Sequence, residues 1–157
     1  VIGGASVAGA NIALACDIVI AARSANFIES FSRLGLIPDS GGTWHLPRLV
    51  GMARAKGLAM LGPKVSAEQA LEWGMIWQVV DDEALMDTAL GLAQQMATQP
   101  TRGFAFTKQA FAASAANTLD QQLDLERDLM RSAGRTHDYQ EGVKAFLEKR
   151  QPEYKGE

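Results

Sequence analysis

Residues 1 to 80 and residues 81 to 157 carry different periodicities, and that division limits the fold more than any other feature of the chain. In the first stretch, short β-branched runs such as "DIVIAAR" and "MIWQVV" alternate with segments of small helix-forming residues such as "AGANIALAC". Such short apolar runs suit buried strands. "NFIES" reads as a further short strand. Pro47 argues for a break or a helix start, and the Ala, Met, Leu and Lys content favours helix beyond Gly51. "SAEQALEWG" opens with Ser66 and Gln69 at capping-box spacing and closes on Gly74, a natural helix stop. From Asp81 the pattern is helical throughout. Leu85, Ala89, Leu92 and Met96 fall on one stripe, started by Asp81 and Asp82 and stopped near Pro100. "TRGFAFTKQAFAASAA" and "TLDQQLDLERDLMRSAG" give two more helices. The last, from Thr136, aligns Tyr139, Val143, Phe146 and Leu147, with Asp138 and Glu141 early and Lys144, Lys149 and Arg150 late, as the helix dipole prefers. The sum is an α/β core with a helical appendage.

With 157 residues and 47% hydrophobic content, the chain can bury most of a core. Fifteen basic residues against 18 acidic ones leave a formal charge of -3, and the basic residues are scattered, which argues against a nucleic-acid partner. No apolar run approaches the ~18 residues of a membrane span. The start also lacks the form of a signal peptide. The one cysteine, Cys16 in "IALAC", reads as a buried, inert thiol, in keeping with a cytoplasmic protein. The opening "VIGGASVAG" runs from β-branched residues straight into glycines without an initiator methionine. It reads as the middle of a strand, so a preceding segment is expected.

Two short segments invite chemistry. In "IPDSGGTWHL", Asp39 is an acid among apolar residues and glycines; it serves either as a cap for the helix that follows or as a reactive carboxylate. In "SVAGAN", a turn of small residues leads into a helix. The backbone N–H groups of Ala8 and Gly9 could face a developing negative charge there, or the small residues could simply let backbones pack closely. A phosphate loop is excluded, because Ala10 and Asn11 stand where the Gly4-to-Gly9 spacing would require Lys and Ser or Thr. His45 and His137 have no convincing catalytic partner, and no metal-ligand spacing occurs. Pro38 sits where a Ser40 hydrolase elbow would need glycine. Trp44, Trp73 and Trp77 read as core residues.

Several segments together resemble the crotonase (enoyl-CoA hydratase/isomerase) superfamily: "SVAGANIALACDIVIAARSANF", "LGLIPDSGGTWHLPRLVGMARAKGLAMLG", "VSAEQALEWGMIWQVV" and "DYQEGVKAFLEKR", in the family's order and spacing. The resemblance implies a crotonase-like ββα spiral core that is partial, its N-terminal half absent. Residues 1–80 would form the C-terminal part of that core. Residues 81–157 would form a helical trimerisation region and a tail over the active site. It also implies a coenzyme A thioester as substrate with no other cofactor, and a homotrimer or hexamer. The thioester carbonyl would take a backbone N–H from Ala8, with Gly9 beside it. Phe146, Lys149 and Arg150 would belong to the tail near the acyl-CoA site, although a solvated helix end explains their charges as well.

Departures from the family pattern carry the functional expectation. Asn11 and Phe31 occupy the positions of the two glutamates that handle water in hydratases, and neither side chain can act as a carboxylate base. Asp39 stands where hydratases usually have glycine. That resembles members that move a double bond or remodel a ring, including those that isomerise ring epoxides in phenylacetate catabolism. The expectation is an acyl-CoA isomerase with Asp39 as its acid/base and Asn11 and Phe31 lining the substrate. The alternatives are an enoyl-CoA hydratase and a non-catalytic acyl-CoA-binding or oligomeric member of the family.

Overall fold

The computed structural model describes all residues from Val1 to Glu157. In chain order the elements are β1 (Gly4–Ser6), α1 (Ala8–Leu14), β2 (Ile20–Ala22), β3 (Asn26–Ile28), a 3-10 turn (Ser30–Leu34), α2 (Gly42–Leu61), β4 (Lys64–Ser66), α3 (Ala67–Glu72) and β5 (Gln78–Val80). A second 3-10 turn (Asp82–Ala84) leads into α4 (Leu85–Ala97), α5 (Thr101–Ser114), α6 (Leu119–Ala133) and α7 (His137–Glu148). The chain divides into two compact units, Val1–Leu90 and Gly91–Glu157.

In the first unit, β3 is the centre of a three-stranded sheet. It pairs in parallel with β1, Ala5 opposite Phe27, and antiparallel with β4, Phe27 opposite Val65. β2 and β5 form a parallel pair with Ala21 opposite Val79. All three residues of β2 are buried, as a continuous apolar strand in a parallel pair should be. Phe27, Val65, Leu46 and Leu58 form the heart of the core, each at most 3% exposed. α1 adds Ala10 and Leu14, one turn apart on its inner face.

The expectation of a partial spiral core with its N-terminal half absent is corrected by the structure. Residues 1–157 form an α/β crotonase-like core of five strands with interleaved helices, followed by C-terminal helices. Gly3 turns the chain at φ 64°, its carbonyl accepts the Asn26 N–H at 3.0 Å, and the Val1 nitrogen donates to the Ile20 carbonyl at 2.6 Å. Each of the five strands pairs with another strand of this chain.

Local rules explain several element ends. Ser66 accepts the Gln69 N–H at 3.2 Å and starts α3, and Gly74 follows that helix at φ 71°. α2 does not break at Pro47, which lies within it. It kinks at Gly51, whose φ of 78° and ψ of 160° glycine adopts at little cost. Gly62 ends α2 at φ 57°, and its carbonyl accepts Arg33 Nη2 at 2.9 Å, which ties the 3-10 turn to this helix end.

Two packing expectations fail. Cys16 lies past the last turn of α1 and is exposed, its sulfur near the Ile12 carbonyl. Trp44 and Trp77 are 50% and 69% exposed. The Arg48 guanidinium lies 3.4 Å from the Trp44 ring centroid and covers one face of it, a use of indole that leaves it at the surface.

In the second unit, a capping box opens α6. Thr118 accepts the Gln121 N–H, and the Gln121 side chain accepts the Thr118 N–H. The segment after α7 folds back on that helix. Arg150 grips Glu141 with two nitrogens, at 2.6 and 2.9 Å, and Glu141 also accepts the Glu153 N–H. That grip holds the Glu141 carboxyl down to about 2. Asp138, 2% exposed, accepts the N–H groups of Lys155 and Gly156. Burial pushes its carboxyl up, and these donors together with His137 outweigh that, leaving it below the usual range. Replacing Phe27 with alanine should cost about 3 to 5 kcal/mol in urea denaturation, because this side chain is 1% exposed on the central strand of the sheet.

Candidate active site

The turn between β1 and α1 is strained. Val7 has φ 54° and ψ -129°, close to the first corner of a type II′ turn that glycine ordinarily occupies. Its backbone holds it there. Val7 N–H donates to the Ile28 carbonyl at 2.9 Å, and its own carbonyl accepts the N–H groups of Ala10 and Asn11. The Ala8 and Gly9 N–H groups precede the helix's own hydrogen-bond ladder, with Ala8 half-buried and Gly9 exposed. A β-branched residue kept in such a conformation marks a place where backbone direction matters.

Four residues into α1, Asn11 is completely buried. Its Nδ2 donates to Glu29 Oε2 at 3.3 Å and to the backbone carbonyl of Asp39 at 3.1 Å. That carbonyl also accepts the Gly42 N–H at 2.7 Å. The loop then passes through two left-handed residues, Ser40 at φ 48° and Gly41 at φ 83°, before α2 begins. This path brings the Asp39 carbonyl, rather than its carboxylate, to the helix start. α2 accordingly has no side-chain cap, and the Asp39 side chain is exposed. The His45 ring lies against Gly41, with carbon and nitrogen 3.0 and 3.2 Å from where a Cβ would stand. Gly42 touches Asn11 so closely that a Cβ there would lie 2.4 Å from Nδ2.

The structure therefore gathers Ala8, Gly9, Asn11 and Asp39 around the α1 start and the α2 loop. Phe31 is also in this unit, 2% exposed, within the 3-10 turn. Phe146 and Lys149 belong to the second unit. Phe146 is 82% exposed beside a groove of about 450 Å³ that Arg102, Gly103, Tyr139, Val143 and Tyr154 also line. Lys149 caps α7 in a left-handed conformation, φ 55°. Arg150 is engaged by Glu141 and Glu148. No three His, Cys, Asp or Glu side chains gather as a metal site would require.

Glu29 is the residue that sequence reasoning missed. It is 1% exposed, and its Oε1 has no hydrogen-bond partner. Burial, with a smaller push from the Asp39 charge, raises its carboxyl to about 7 against the opposing Asn11 hydrogen bond. A signal was present in "NFIESF". Phe27, Glu29 and Phe31 alternate, all three are buried, and the residues between them are not.

The family model for enoyl-CoA hydratase/isomerase matches residues 1–157, the whole chain. The chain belongs to the enoyl-CoA hydratase/isomerase family. Over 154 residues it is 65% identical to the 1,2-epoxyphenylacetyl-CoA isomerase of Escherichia coli K12, covering 98% of this chain and 59% of that protein. It is 49% identical to a protein of Rhodobacter capsulatus named "Probable enoyl-CoA hydratase", covering 98% of this chain and 60% of that one. The crystal structure of an enoyl-CoA hydratase from Polaromonas sp. JS666 superposes with a TM-score of 0.92 at 38% identity, over 98% of this chain and 60% of that chain. This family member thus spans about 60% of the length of these relatives.

Glu29 makes the stability of this family member depend on pH. The folded carboxyl binds its proton more tightly than the unfolded chain does, so its contribution is fully present below about 4.5 and is lost as pH rises through about 7. Glu29→Gln should raise the melting temperature at pH 8 by about 4 °C or more. At pH 4 the difference should vanish, which thermal scans in two buffers will read.

Proposed function

We propose that the protein is an acyl-CoA isomerase in which Asp39 carries the proton and the start of α1 holds the thioester oxygen. The observation behind this reading is that Asp39 presents an exposed carboxylate on a loop whose backbone is pinned, through Asn11, to the helix that begins at Ala8. The two positions where hydratases of the family keep glutamates support it as well. Asn11 spends both amide hydrogens on structural acceptors, and Phe31 is buried.

The chemistry follows from that arrangement. Asp39 removes a proton from the carbon next to the thioester, and the electron pair moves onto the carbonyl oxygen to give an enolate. The Ala8 N–H, with Gly9 beside it, stabilises that oxygen. The electron pair then shifts along the chain, and the protonated Asp39 returns its proton to a more distant carbon. A double bond has moved, no water has been consumed, and the carboxylate is regenerated. The 65% identity to a ring-epoxide isomerase favours a ring-bearing acyl group and a place in phenylacetate breakdown. A homotrimer or hexamer completes the reading. Phe111, Leu119, Met130 and Leu147 are each 73% exposed within the second unit, and sedimentation at three or six chain masses tests that assembly.

Asp39→Asn should lower kcat for isomerisation of a 3-enoyl-CoA to its 2-enoyl isomer by about 100 to 10,000-fold, with little change in thioester affinity. Equal kcat in the two proteins would falsify the assignment. The second reading, hydration, draws on the relative from Rhodobacter capsulatus. Efficient conversion of crotonyl-CoA to its hydroxyacyl product would favour it.

A further inference from the structure

Glu29 takes no part in the proton transfer assigned to Asp39, yet its carboxyl lies one amide away from the Asp39 backbone. An asparagine amide carries two hydrogens, and both of those on Asn11 Nδ2 are committed, one to Glu29 Oε2 and one to the Asp39 carbonyl. The amide cannot swing aside, because Gly42 packs against it with no room for even a Cβ. Glu29 is 1% exposed with Oε1 unpartnered, an environment that suits a neutral carboxyl and penalises an ionised one.

We propose that Glu29 is a positioning residue of this site: neutral, it shares the Asn11 amide with the Asp39 carbonyl, fixes the loop, and leaves Asp39 as the one anion beside the α1 start. The inference rests on the role proposed for Asp39. Ionised Glu29 draws the Asn11 hydrogen toward itself in a charge-assisted bond and weakens the hold on the loop. It also places a second negative charge where the enolate must form, which opposes the reaction.

The charges around Glu29 set where this change falls. Asp39 is the charge that acts on it, and burial is the larger cause of its rise to about 7. His45 on α2 lies against Gly41. Arg33, in the same 3-10 turn, is engaged by the Gly62 carbonyl, and Lys64 stands on β4 opposite Ile28.

The test follows the Asn11 side-chain amide by NMR from about pH 5 to about pH 9, together with kcat/KM for 3-enoyl-CoA isomerisation. It uses the wild type, Glu29→Gln and Asp39→Asn. The Asn11 resonances are expected to shift with a midpoint near 7, and kcat/KM to fall about tenfold per pH unit above it. Both dependences should be lost in Glu29→Gln. In Asp39→Asn the Asn11 shift should persist at a lower midpoint, because a neighbouring anion has gone. Wild-type resonances that stay fixed overturn the proposal without recourse to any variant. An unchanged alkaline limb in Glu29→Gln overturns it too, as does a Glu29→Gln protein as inactive at every pH as Asp39→Asn, which makes Glu29 itself the proton carrier. Failure of the Asp39 reading looks different: Asp39→Asn remains active while the Asn11 titration stands.

Discussion

One buried amide holds the candidate site together. Asn11 reaches from the first full turn of α1 to the loop ahead of α2, and its nitrogen takes the Asp39 carbonyl at 3.1 Å and a Glu29 oxygen at 3.3 Å. Much of the neighbouring sequence makes this contact feasible. Ala10 and Leu14 seat α1 in the core, Gly42 leaves room for the amide, and Ser40 and Gly41 adopt left-handed conformations that turn the loop carbonyl inward. Strained residues of this kind cost roughly 1 to 3 kcal/mol each and persist only where surrounding bonds over-determine them. At Val7 those bonds are the Ile28 carbonyl on one side and two helix N–H groups on the other.

Features governed by local rules were legible in the sequence. The Ser66 cap, the Gly74 stop, the strands in "DIVIAAR" and "NFIES" and the helices after Asp81 all depend on residues within a few positions of one another, which is the range over which capping and periodicity act. Features set by particular backbone conformations, ring contacts or long-range pairing were not legible. The break in α2 falls at Gly51 rather than Pro47 because a glycine can reverse direction there while the proline stays in the helix. Trp44 stays at the surface, with Arg48, one turn on, covering one face of its ring. The partial core implied by the family resemblance gives way to five strands that each pair with another strand of the chain, a matter of long-range pairing that no local stretch displays.

The candidate site shows the same division. Ala8, Gly9, Asn11 and Asp39 could be picked out as positions, but their hydrogen bonds could not. Asp39 illustrates this well. A helix-capping carboxylate is a reasonable reading of Asp after Pro and before Ser-Gly-Gly, and the structure gives that contact to the backbone carbonyl of the same residue. Glu29 lay unnoticed because alternation alone marks it, and an acid on the buried phase of a strand is easily taken for a strand end.

Because the loop before α2 is anchored by a main-chain oxygen, its position does not depend on which side chain residue 39 carries. Any residue that tolerates the local backbone would present its side chain from the same point in space. The side chain at position 39 is therefore detachable from the framework that aims it. A single substitution at position 39 can change the group presented from this loop while Asn11, Gly42 and the strained turn at Val7 stay as they are.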